Sequence, residues 1–355
     1  MTAFDTALSS ILNSARAHGA SDIHIAAGRP PTLRIDGALR ALDTAAWDPA
    51  QVDAARNQLL ASGDAPEALD PDACDLDFAC TLATGERLRV NGYRTLHGPA
   101  LAIRRVGGEP PELESLPAPP AVAELAKRQS GLVLVTGATS SGKSTTLAAL
   151  IQRINTTRPA HVVTIEDPVE YVHPSRTALI NQREVGHHTA SFHTGLRAAL
   201  REDPDVILVG EMRDLETISL ALTAAETGQL VLATVHAPNA AQVIDRIIDV
   251  FPGQEQGLVR TMLSTCLVAV VSQRLLPGAE GGRVPAMEIM LGTTAVRNQI
   301  REGKVPQLSQ TIELGRRVGM QTMNQAIRDL AAAGRITAAT RDATLAALGV
   351  ASEGG

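Results

Sequence analysis

The chain has 355 residues, 44% of them hydrophobic, and a formal net charge of −6 at pH 7. This length predicts two or three globular domains with substantial cores. The acidic balance, with only one Trp, two Tyr and four Phe, argues against a nucleic-acid groove, which needs basic side chains and stacking platforms. We therefore expect no nucleic-acid partner.

Cysteine usage and the first residues of the chain bear on its location. Cys74, Cys80 and Cys266 form no Cys-x-x-Cys pair and are odd in number, which argues against a disulfide framework or a cysteine-built zinc site. The start of the chain lacks a basic segment followed by an apolar one, and no apolar run approaches the roughly twenty residues of a membrane helix. We expect a cytoplasmic protein without direct membrane insertion, which reaches a membrane only through a partner.

The first elements in chain order are a helix and paired strands. Asp5 is suited to cap a helix that Gly19 then ends. From Ile23 onward, apolar residues alternate with polar ones, which is the period of a half-buried strand. Asp36-Gly37, between two such runs, predicts a two-residue hairpin turn.

The pattern then divides the chain into two domains. Further strands over 87–91 and 101–105 complete a small α/β domain over residues 1–106. Residues 107–120 concentrate prolines, which resist helix and cannot donate ladder hydrogen bonds, so they predict a linker and a hinge. Residues 121–355 alternate buried-strand runs with helical segments, which predicts a parallel α/β domain with a C-terminal helical region.

A phosphate-binding P-loop is the most specific motif in the second domain. Residues 137–144 read G-A-T-S-S-G-K-S, directly after an apolar strand-like run and directly before a helical one. Because Lys143 is one of only three lysines, a chance match is expected on the order of one time in several hundred. The candidate phosphate-binding residues are Gly137, Ala138, Thr139, Ser140, Ser141, Gly142, Lys143, Ser144 and Thr145.

The residue types of this loop suit a nucleoside triphosphate. Gly137 and Gly142 permit backbone conformations and close approaches that let amide groups and the helix N-terminus point at phosphate oxygens. Lys143 would reach the β- and γ-phosphates, and the Ser144 hydroxyl would hold a magnesium ion. We therefore expect ATP and Mg²⁺ as cofactors. The alternative, a Gly-Ser turn beside an exposed lysine, is disfavoured by the flanking strand and helix.

Four apolar runs of this domain each end on a chemically useful group. These groups are the P-loop, Glu166 with Asp167, Glu211 and His236. Ligands of open α/β sheets bind beyond the carboxyl ends of the strands. We expect the four groups to converge there, although any one of them alone would be weak evidence.

Hydrolysis of a phosphoanhydride needs a metal ion and a group that orients the attacking water. Glu166 and Glu211 both follow apolar strands, so both are candidates for either role. We favour Glu166 as the water-orienting base and Glu211, with Ser144, on the metal side. For each acid taken singly, a helix cap or a solvated loop position is the alternative.

The histidines are less specific. His236 is suited to sense the γ-phosphate by hydrogen bonding, but a buried histidine satisfied by backbone explains the residue pattern somewhat better. His187 and His188 are adjacent and lack the one-face spacing of a helical metal pair, so we assign them to a solvated loop and to no metal.

Several long segments resemble a known superfamily. They are V-V-T-I-E-D-P-V-E-Y-V-H (162–173), N-Q-R-E-V-G (181–186), L-R-E-D-P-D-V-I-L-V-G-E-M-R-D (200–214), L-T-A-A-E-T-G-Q-L-V-L-A-T-V-H (222–236) and, in the first domain, A-S-D-I-H-I (20–25). Together they resemble the secretion and pilus ATPases and, more narrowly, the type IV pilus retraction ATPases. The resemblance covers nearly the whole chain.

The resemblance implies a PAS-like N-terminal domain and a C-terminal RecA-like ATPase domain, assembled as a homohexamer. It implies that Glu166 lies in the Asp box, Glu211 in the Walker B strand and His236 in the His box. These assignments add His236 to Lys143, Glu166 and Glu211 as a candidate catalytic residue.

The resemblance also implies that arginines of the N-terminal domain meet nucleotide charge across the subunit junction. Arg89 and Arg104 are the best matches, and Arg94 is a weaker one. A solvated strand arginine is the alternative for each of the three.

Residues 295–302, A-V-R-N-Q-I-R-E, resemble a motif associated with retraction rather than extension motors. Val296 and Ile300 share one helical face, while Arg297 and Arg301 form a like-charged pair on another. Without the resemblance, the pattern predicts only a solvated amphipathic helix. With it, we expect a docking or coupling element.

Three positions depart from the family pattern. Gln229 stands where the His box usually carries its first histidine, Ser140 replaces a usual P-loop glycine, and Gln299 replaces an apolar residue. Catalysis is expected to survive, but Gln229 cannot be protonated, which puts any pH-sensing role of that position in doubt.

The function implied is an ATP-hydrolysing motor that powers pilus retraction. Its implied partners are an inner-membrane platform protein and an accessory retraction ATPase, and its implied place is the cytoplasmic side of the inner membrane. The alternatives are an accessory, extension or secretion ATPase of the same superfamily, a nucleic-acid translocase, and a regulator that binds ATP without turnover.

Overall fold

The computed structural model describes residues 6–35, 37–62, 73–82, 84–106 and 108–349. Asp5 and Asp36, predicted as a helix cap and a turn residue, lie outside these residues.

The chain divides into two compact units. Unit 1 comprises Met1–Glu109 and Pro168–Val172, and unit 2 comprises Pro110–Asp167 and His173–Gly355. The five residues 168–172 therefore pack with unit 1, although they lie between two strands of unit 2. The boundary at residue 106 and the linker over 107–120 stay predictions.

Unit 1 is built on one antiparallel sheet. Its elements are α1 (Thr6–Ala17), β1 (Asp22–Ala26), β2 (Thr32–Ile35), β3 (Ala38–Ala41), α2 (Pro49–Leu60), β4 (Asp75–Thr81), β5 (Arg87–Thr95) and β6 (Gly98–Val106). The strand order is β3-β2-β1-β6-β5-β4. The strands predicted around 23, 87–91 and 101–105 are confirmed.

The alternation of the strands explains how unit 1 folds. Ile23 and Ile25 point to the face that carries the two helices, and both are fully buried there. Asp48 starts α2 by accepting the amide of Gln51, whose side chain in turn accepts the Asp48 amide, and Pro49 suits the first turn. Polar side chains of the same strands occupy the opposite face of the sheet.

The first part of unit 2 holds the motifs singled out in the sequence. Its elements are α3 (Pro120–Leu125), β7 (Gly131–Thr136), α4 (Lys143–Thr157), β8 (His161–Glu166), β9 (Leu179–Glu184), α5 (Phe192–Ala199), β10 (Val206–Val209), α6 (Leu215–Glu226) and β11 (Leu230–Val235). The four buried strands predicted before the P-loop, Glu166, Glu211 and His236 are thereby confirmed.

The rest of unit 2 adds two strands and several helices. Its elements are α7 (Ala240–Ile248), α8 (Gln256–Cys266), β12 (Leu267–Pro277), β13 (Arg283–Leu291), α9 (Thr294–Arg301), α10 (Leu308–Leu314), α11 (Met323–Ala332) and α12 (Ala338–Ala347). The sheet order is β13-β12-β7-β11-β10-β8-β9. The strands from β12 to β9 run parallel, and β13 pairs antiparallel with β12.

Both faces of this sheet are covered, which explains its near-continuous apolar strands. The apolar stripe of α4 packs into the core of one face; Leu147, Leu150, Ile151 and Ile154 are all buried there. The helices α5 to α8 cover the other face. Burial of each such side chain contributes about 1.5–3 kcal/mol, so the two layers fix the strand ends rigidly.

Candidate nucleotide-binding site

The P-loop joins the end of β7 to the start of α4. Gly137 and Gly142 have φ angles of 142° and 89°, which side chains rarely tolerate. Both also lie against Gln273 of β12. A Cβ atom on Gly142 would lie 2.7 Å from the Gln273 Nε2 atom, and one on Gly137 would meet the Gln273 backbone oxygen. The glycines are therefore required by conformation and by space.

Gln273 is a part of the site that the sequence analysis missed. It is 4% exposed, and its Oε1 atom accepts a hydrogen bond of 2.8 Å from the hydroxyl of Thr146 in α4. This bond ties β12 to the first turns of the P-loop helix. The signal that could have revealed it is a glutamine inside the apolar run of β12, because a buried side-chain amide needs hydrogen-bond partners.

Lys143 lies across the mouth of the loop. Its Nζ atom donates to the backbone oxygens of Gly137 at 3.0 Å and Ala138 at 2.9 Å. Ser144 and Thr145 follow in the first turn of α4 and are half-buried. Thr139 and Ser140 form the exposed tip, where Ser140 has a φ of 62°. The P-loop residues therefore form one continuous cradle at a helix N-terminus.

The sheet order sets the sequence of functional groups along its carboxyl edge. From the P-loop strand β7 outward come β11 with His236, β10 with Glu211 and β8 with Glu166. Neighbouring strands lie about 4.8 Å apart. Because β10 is nearer to β7 than β8 is, Glu211 follows a strand closer to the P-loop than the strand that Glu166 follows. All four groups expected at this edge are found there.

Cross-strand hydrogen bonds hold the loops of this edge together. The Thr136 hydroxyl donates to the Ala237 oxygen at 2.8 Å and accepts the Ala237 amide at 2.9 Å. The Met212 amide donates to the Thr234 oxygen at 3.0 Å, and the Thr234 hydroxyl donates to the oxygen of Gly210. The loops after β7, β11 and β10 are thus fixed to one another.

Glu211 contacts the side chains of Arg213 and His236. Its Oε2 atom is 2.6 Å from Nη2 of Arg213, and its Oε1 atom is 3.3 Å from Nε2 of His236. Partial burial alone would raise the pKa of Glu211, but the Arg213 hydrogen bond and the positive charges of His236, Arg213 and Lys143 outweigh it, so its pKa lies below the ordinary value. Arg213 was missed by the sequence analysis, although it lies in the quoted motif 200–214.

Glu166 has a different environment. Its Oε1 atom accepts a hydrogen bond of 2.6 Å from the Thr164 hydroxyl and one of 3.2 Å from the Gln182 side-chain amide. Both donors are neutral. Glu166 and Glu211 thus lie at the ends of adjacent strands, Glu166 beside Thr164 and Gln182 and Glu211 beside Arg213 and His236.

The candidate arginines lie on the sheet of unit 1. Arg104 of β6 donates to Asp22 at 2.8 Å, and Arg89 of β5 lies 3.6 Å from Asp77. The two arginines are directly opposite each other in the β5–β6 register. Partial burial works against ionisation of Asp22, but hydrogen bonds from Arg104 and Ser21 keep its pKa below the ordinary value.

Arg94 lies farther along β5, opposite Pro99, and is exposed. Ion pairs fix Arg89 and Arg104 within unit 1, which leaves their roles at a subunit junction as a proposal.

No group of three or more His, Cys, Asp or Glu side chains within the described ranges is arranged to hold a metal ion. His188 instead accepts the Glu184 amide at 3.0 Å through Nδ1, and the His187 ring lies 3.9 Å from the buried Glu184 carboxylate. In the part of the chain that the structure describes, no helix combines the length and the apolar composition that a bilayer span requires.

Comparison with known proteins identifies the family. The model of the type II/IV secretion system protein family matches residues 3–334. The chain belongs to this family. It is 47% identical over 323 residues to the type IV pilus retraction ATPase PilT of Pseudomonas aeruginosa, which covers 90% of this chain and 92% of that protein.

A further relative and a solved structure are also similar to this chain. A twitching motility protein of Neisseria gonorrhoeae is 53% identical over 263 residues, which cover 74% of this chain and 70% of that protein. The crystal structure of the pilus retraction motor PilT with bound ADP matches with a TM-score of 0.83 at 45% identity, over 94% of this chain and 95% of that one. The expected mixed α/β fold of a secretion ATPase is confirmed.

The segment 295–302, singled out in the sequence, forms most of α9 and its C-terminal cap. Val296 and Ile300 are fully buried, as expected for its apolar face. Arg297 is not simply a solvated charge: its Nε atom donates to the Gly292 oxygen at 2.8 Å and its Nη2 atom to the Leu267 oxygen at 3.2 Å. The side chain thus fastens α9 to the ends of β12 and β13.

Two departures from the family pattern have clear places in the structure. Gln229 lies just before β11, at the opposite end of that strand from His236. Seven residues of extended chain separate them by about 23 Å, so the glutamine lies far from the phosphate cradle of its own chain. Gln299 accepts a hydrogen bond of 2.9 Å from the Thr311 hydroxyl, which gives its polar side chain a partner.

Proposed function

We propose that this chain is an ATP-hydrolysing motor that powers type IV pilus retraction. The observation that carries the proposal is the arrangement at one sheet edge, where the P-loop, His236, Glu211 and Glu166 follow one another at the ends of four neighbouring strands. The likeness to PilT, a protein named as a pilus retraction ATPase, supplies the process that the hydrolysis drives.

In the proposed reaction, the loop amides and Lys143 bind the β- and γ-phosphates of ATP. The oxygen of a water molecule attacks the γ-phosphorus while the bond to the β–γ bridging oxygen breaks, which yields ADP and phosphate. Glu166 orients that water and accepts its proton. His236, which lies beside Glu211, would hydrogen-bond the γ-phosphate and respond to its loss.

Mg²⁺ fits the donor set on the metal side. Magnesium is usually held by one or two protein oxygens together with water and substrate phosphates. The Ser144 hydroxyl and the Glu211 carboxylate are donors of this kind, and Glu211 already lies among positive charges. When bound, the ion neutralises charge that develops on the phosphate oxygens. We infer that Glu211 holds the metal-side water shell.

We further propose a homohexamer in which Arg89 and Arg104, with Arg94 in a lesser role, meet nucleotide charge across the subunit junction. The ring would act on an inner-membrane pilus platform protein from the cytoplasmic side, alongside an accessory retraction ATPase. These partners follow from the family resemblance.

Replacement of Lys143 tests the site. Lys143→Ala is expected to abolish Mg²⁺-dependent ATP hydrolysis by the purified ring, and Lys304→Ala, an exposed lysine paired with Glu302, serves as the control. Hydrolysis that survives Lys143→Ala would contradict the site assignment.

A gene deletion tests the process. Loss of a retraction motor leaves surface pili abundant but immobile, whereas loss of an extension motor removes them. Stimulation of the ATPase by DNA or RNA, with binding that weakens steeply as salt rises, would instead favour a nucleic-acid translocase.

A further inference from the structure

Gln182 of β9 makes two hydrogen bonds that join separate parts of the Glu166 strand end. Its Nε2 atom donates to Glu166 Oε1 at 3.2 Å. Its Oε1 atom accepts the backbone amide of His173 at 2.8 Å. Gln182 lies in the motif 181–186, to which the proposed function assigns no role.

The chemistry of the partners fixes the orientation of the Gln182 amide. A backbone N–H only donates, so it requires the amide oxygen, and an ionised carboxylate only accepts, so it requires the NH₂ group. A flipped amide would place oxygen against the Glu166 carboxylate and NH₂ against the His173 amide. Both contacts would then be lost, which makes the observed orientation the one that satisfies both partners.

The strand register explains why Gln182 reaches Glu166. In the parallel β8–β9 pair, Gln182 is opposite Thr164 and Glu184 is opposite Glu166. Residues two apart on a strand share a face, so Thr164, Glu166 and Gln182 lie on one face of the sheet. The Thr164 hydroxyl and the Gln182 amide therefore approach the same carboxylate oxygen from two strands.

Gln182 also joins the two ends of a segment, residues 168–172, that does not belong to unit 2. After Glu166 and Asp167, residues 168–172 pack with unit 1, and the chain returns to unit 2 at His173. Gln182 binds the side chain before this segment and the backbone after it. The position of Glu166 is thus fixed within unit 2, at the place where the chain leaves it.

We propose that Gln182 is a positioning residue for hydrolysis, which holds the Glu166 carboxylate in the orientation that activates the attacking water. The proposal rests on the role of Glu166 in the proposed function. Gln182 touches neither ATP nor water in this scheme, so its loss is expected to lower kcat and to leave ATP affinity nearly unchanged.

The sharpest variant is Gln182→Glu. It keeps the shape and an oxygen that accepts the His173 amide, but it replaces the NH₂ donor with an oxygen that repels the Glu166 carboxylate. Misplacement of a reacting group by about 1 Å can cost on the order of 100-fold in rate. We expect kcat to fall about 10- to 100-fold at pH 8, with KM for ATP changed less than about threefold.

Asn181→Asp is the matched control. It makes the same amide-to-acid change one residue earlier on the same strand, at an exposed side chain that contacts His161 at 2.9 Å. Its kcat is expected within about twofold of the parent value. An equal loss in the control would show a general charge effect and overturn the proposal.

A double-variant cycle separates this inference from the proposed function. If Glu166→Gln removes turnover, adding Gln182→Glu is expected to cause no further loss, because the pair acts as one unit. Additive losses would overturn the positioning role. If Glu166→Gln retains turnover, the base assignment itself is wrong and the inference falls with it.

The remaining outcomes are equally decisive. A parent-like kcat in Gln182→Glu, while Glu166→Gln is inactive, overturns the inference alone. A lowered melting temperature together with weakened ATP binding assigns Gln182 a structural role and also overturns it. If Gln182→Glu does not fold, Gln182→Met, which removes both hydrogen bonds from a side chain of similar length, is judged by the same kcat and KM criteria.

Discussion

Glu166 and Glu211 follow adjacent strands at the same sheet edge, yet they contact different side chains. Glu211 contacts Arg213 and His236, whereas Glu166 accepts hydrogen bonds from a hydroxyl and a neutral amide. The same position at the end of a parallel strand has therefore produced two carboxylates of different character.

This difference indicates different catalytic roles for Glu166 and Glu211. Cations next to a carboxylate favour its ionised form and weaken its affinity for a proton, so Glu211 is a poor base and a good partner for positive charge. The Thr164 hydroxyl and the Gln182 amide hold the Glu166 carboxylate in one orientation. We therefore place proton transfer at Glu166 and the metal side at Glu211, the division that residue types alone left open.

The largest expected effect tests the base. Glu166→Gln keeps the shape of the side chain but removes its ability to accept a proton, so turnover should fall about 10²- to 10⁴-fold. ATP binding should persist, because the phosphates are held by the P-loop. Single-turnover hydrolysis and binding of a labelled ATP analogue measure the two quantities.

Glu216→Gln, an exposed acid in the first turn of α6, is the control and should hydrolyse ATP at the parent rate. If Glu211→Gln is the more damaging change of the two strand-end variants, the assigned roles are reversed.

A smaller effect is expected on the metal side. Glu211→Gln should lower turnover about tenfold and raise the Mg²⁺ concentration needed for half-maximal activity, because a weaker charge attracts the hydrated ion less. A Mg²⁺ titration at saturating ATP measures both changes. Glu166→Gln should leave the Mg²⁺ midpoint of its residual activity unmoved, and a shift of equal size in both variants would remove the distinction between them.

The sequence predicted the four strand ends because the information is local. Each run of apolar residues before the P-loop, Glu166, Glu211 and His236 is buried on both faces of a parallel sheet. Such a run can be recognised in the sequence without knowing which strands become its neighbours. Family motifs then assigned roles to the same groups.

The environments of these groups were not predicted, since they depend on which strands become neighbours. Gln273 reaches the P-loop only because β12 pairs with β7, and Gln182 reaches Glu166 only because β9 pairs with β8 in one register. A shift of one residue would turn either side chain to the opposite face. The spacing of residues along the chain does not specify which residues of neighbouring strands lie opposite each other.

Stability at acid pH gives a further test at His173, the residue whose backbone amide donates to Gln182. Burial lowers the pKa of His173 from 6.5 to about 4, so the folded protein keeps it neutral where an unfolded chain would protonate it. The folded state therefore loses stability as the pH falls from about 6.5 to about 4, by roughly 1.4 kcal/mol per pH unit. The lowered pKa of Glu211 affects the free energy of unfolding only below its ordinary value of 4.5. We therefore attribute the loss of stability between pH 6.5 and pH 5 to His173.

Urea unfolding followed by circular dichroism at pH 7.5 and pH 5.5 measures this loss. His173→Asn should unfold with a pH dependence about 1 kcal/mol smaller than that of the parent over that range. An unchanged dependence in His173→Asn would mean that His173 is not the buried neutral group described.

The smallest expected effect concerns the P-loop, the fixed reference for both carboxylates. Ser140 has a left-handed backbone with a φ of 62°, at a position where the family usually has glycine, and such strain costs about 1–2 kcal/mol in a residue with a Cβ atom. Ser140→Gly should relieve it, but the extra freedom of glycine in the unfolded chain opposes about 0.4–1 kcal/mol of that gain. The net increase in the free energy of unfolding should be about 0 to 1.6 kcal/mol, whereas Ser141→Gly, next in the loop, gains no such relief and should be destabilising. Equal losses in both variants would mean that Ser140 is not strained, and the loop could then not be regarded as a preset cradle toward which Glu166 and Glu211 are directed.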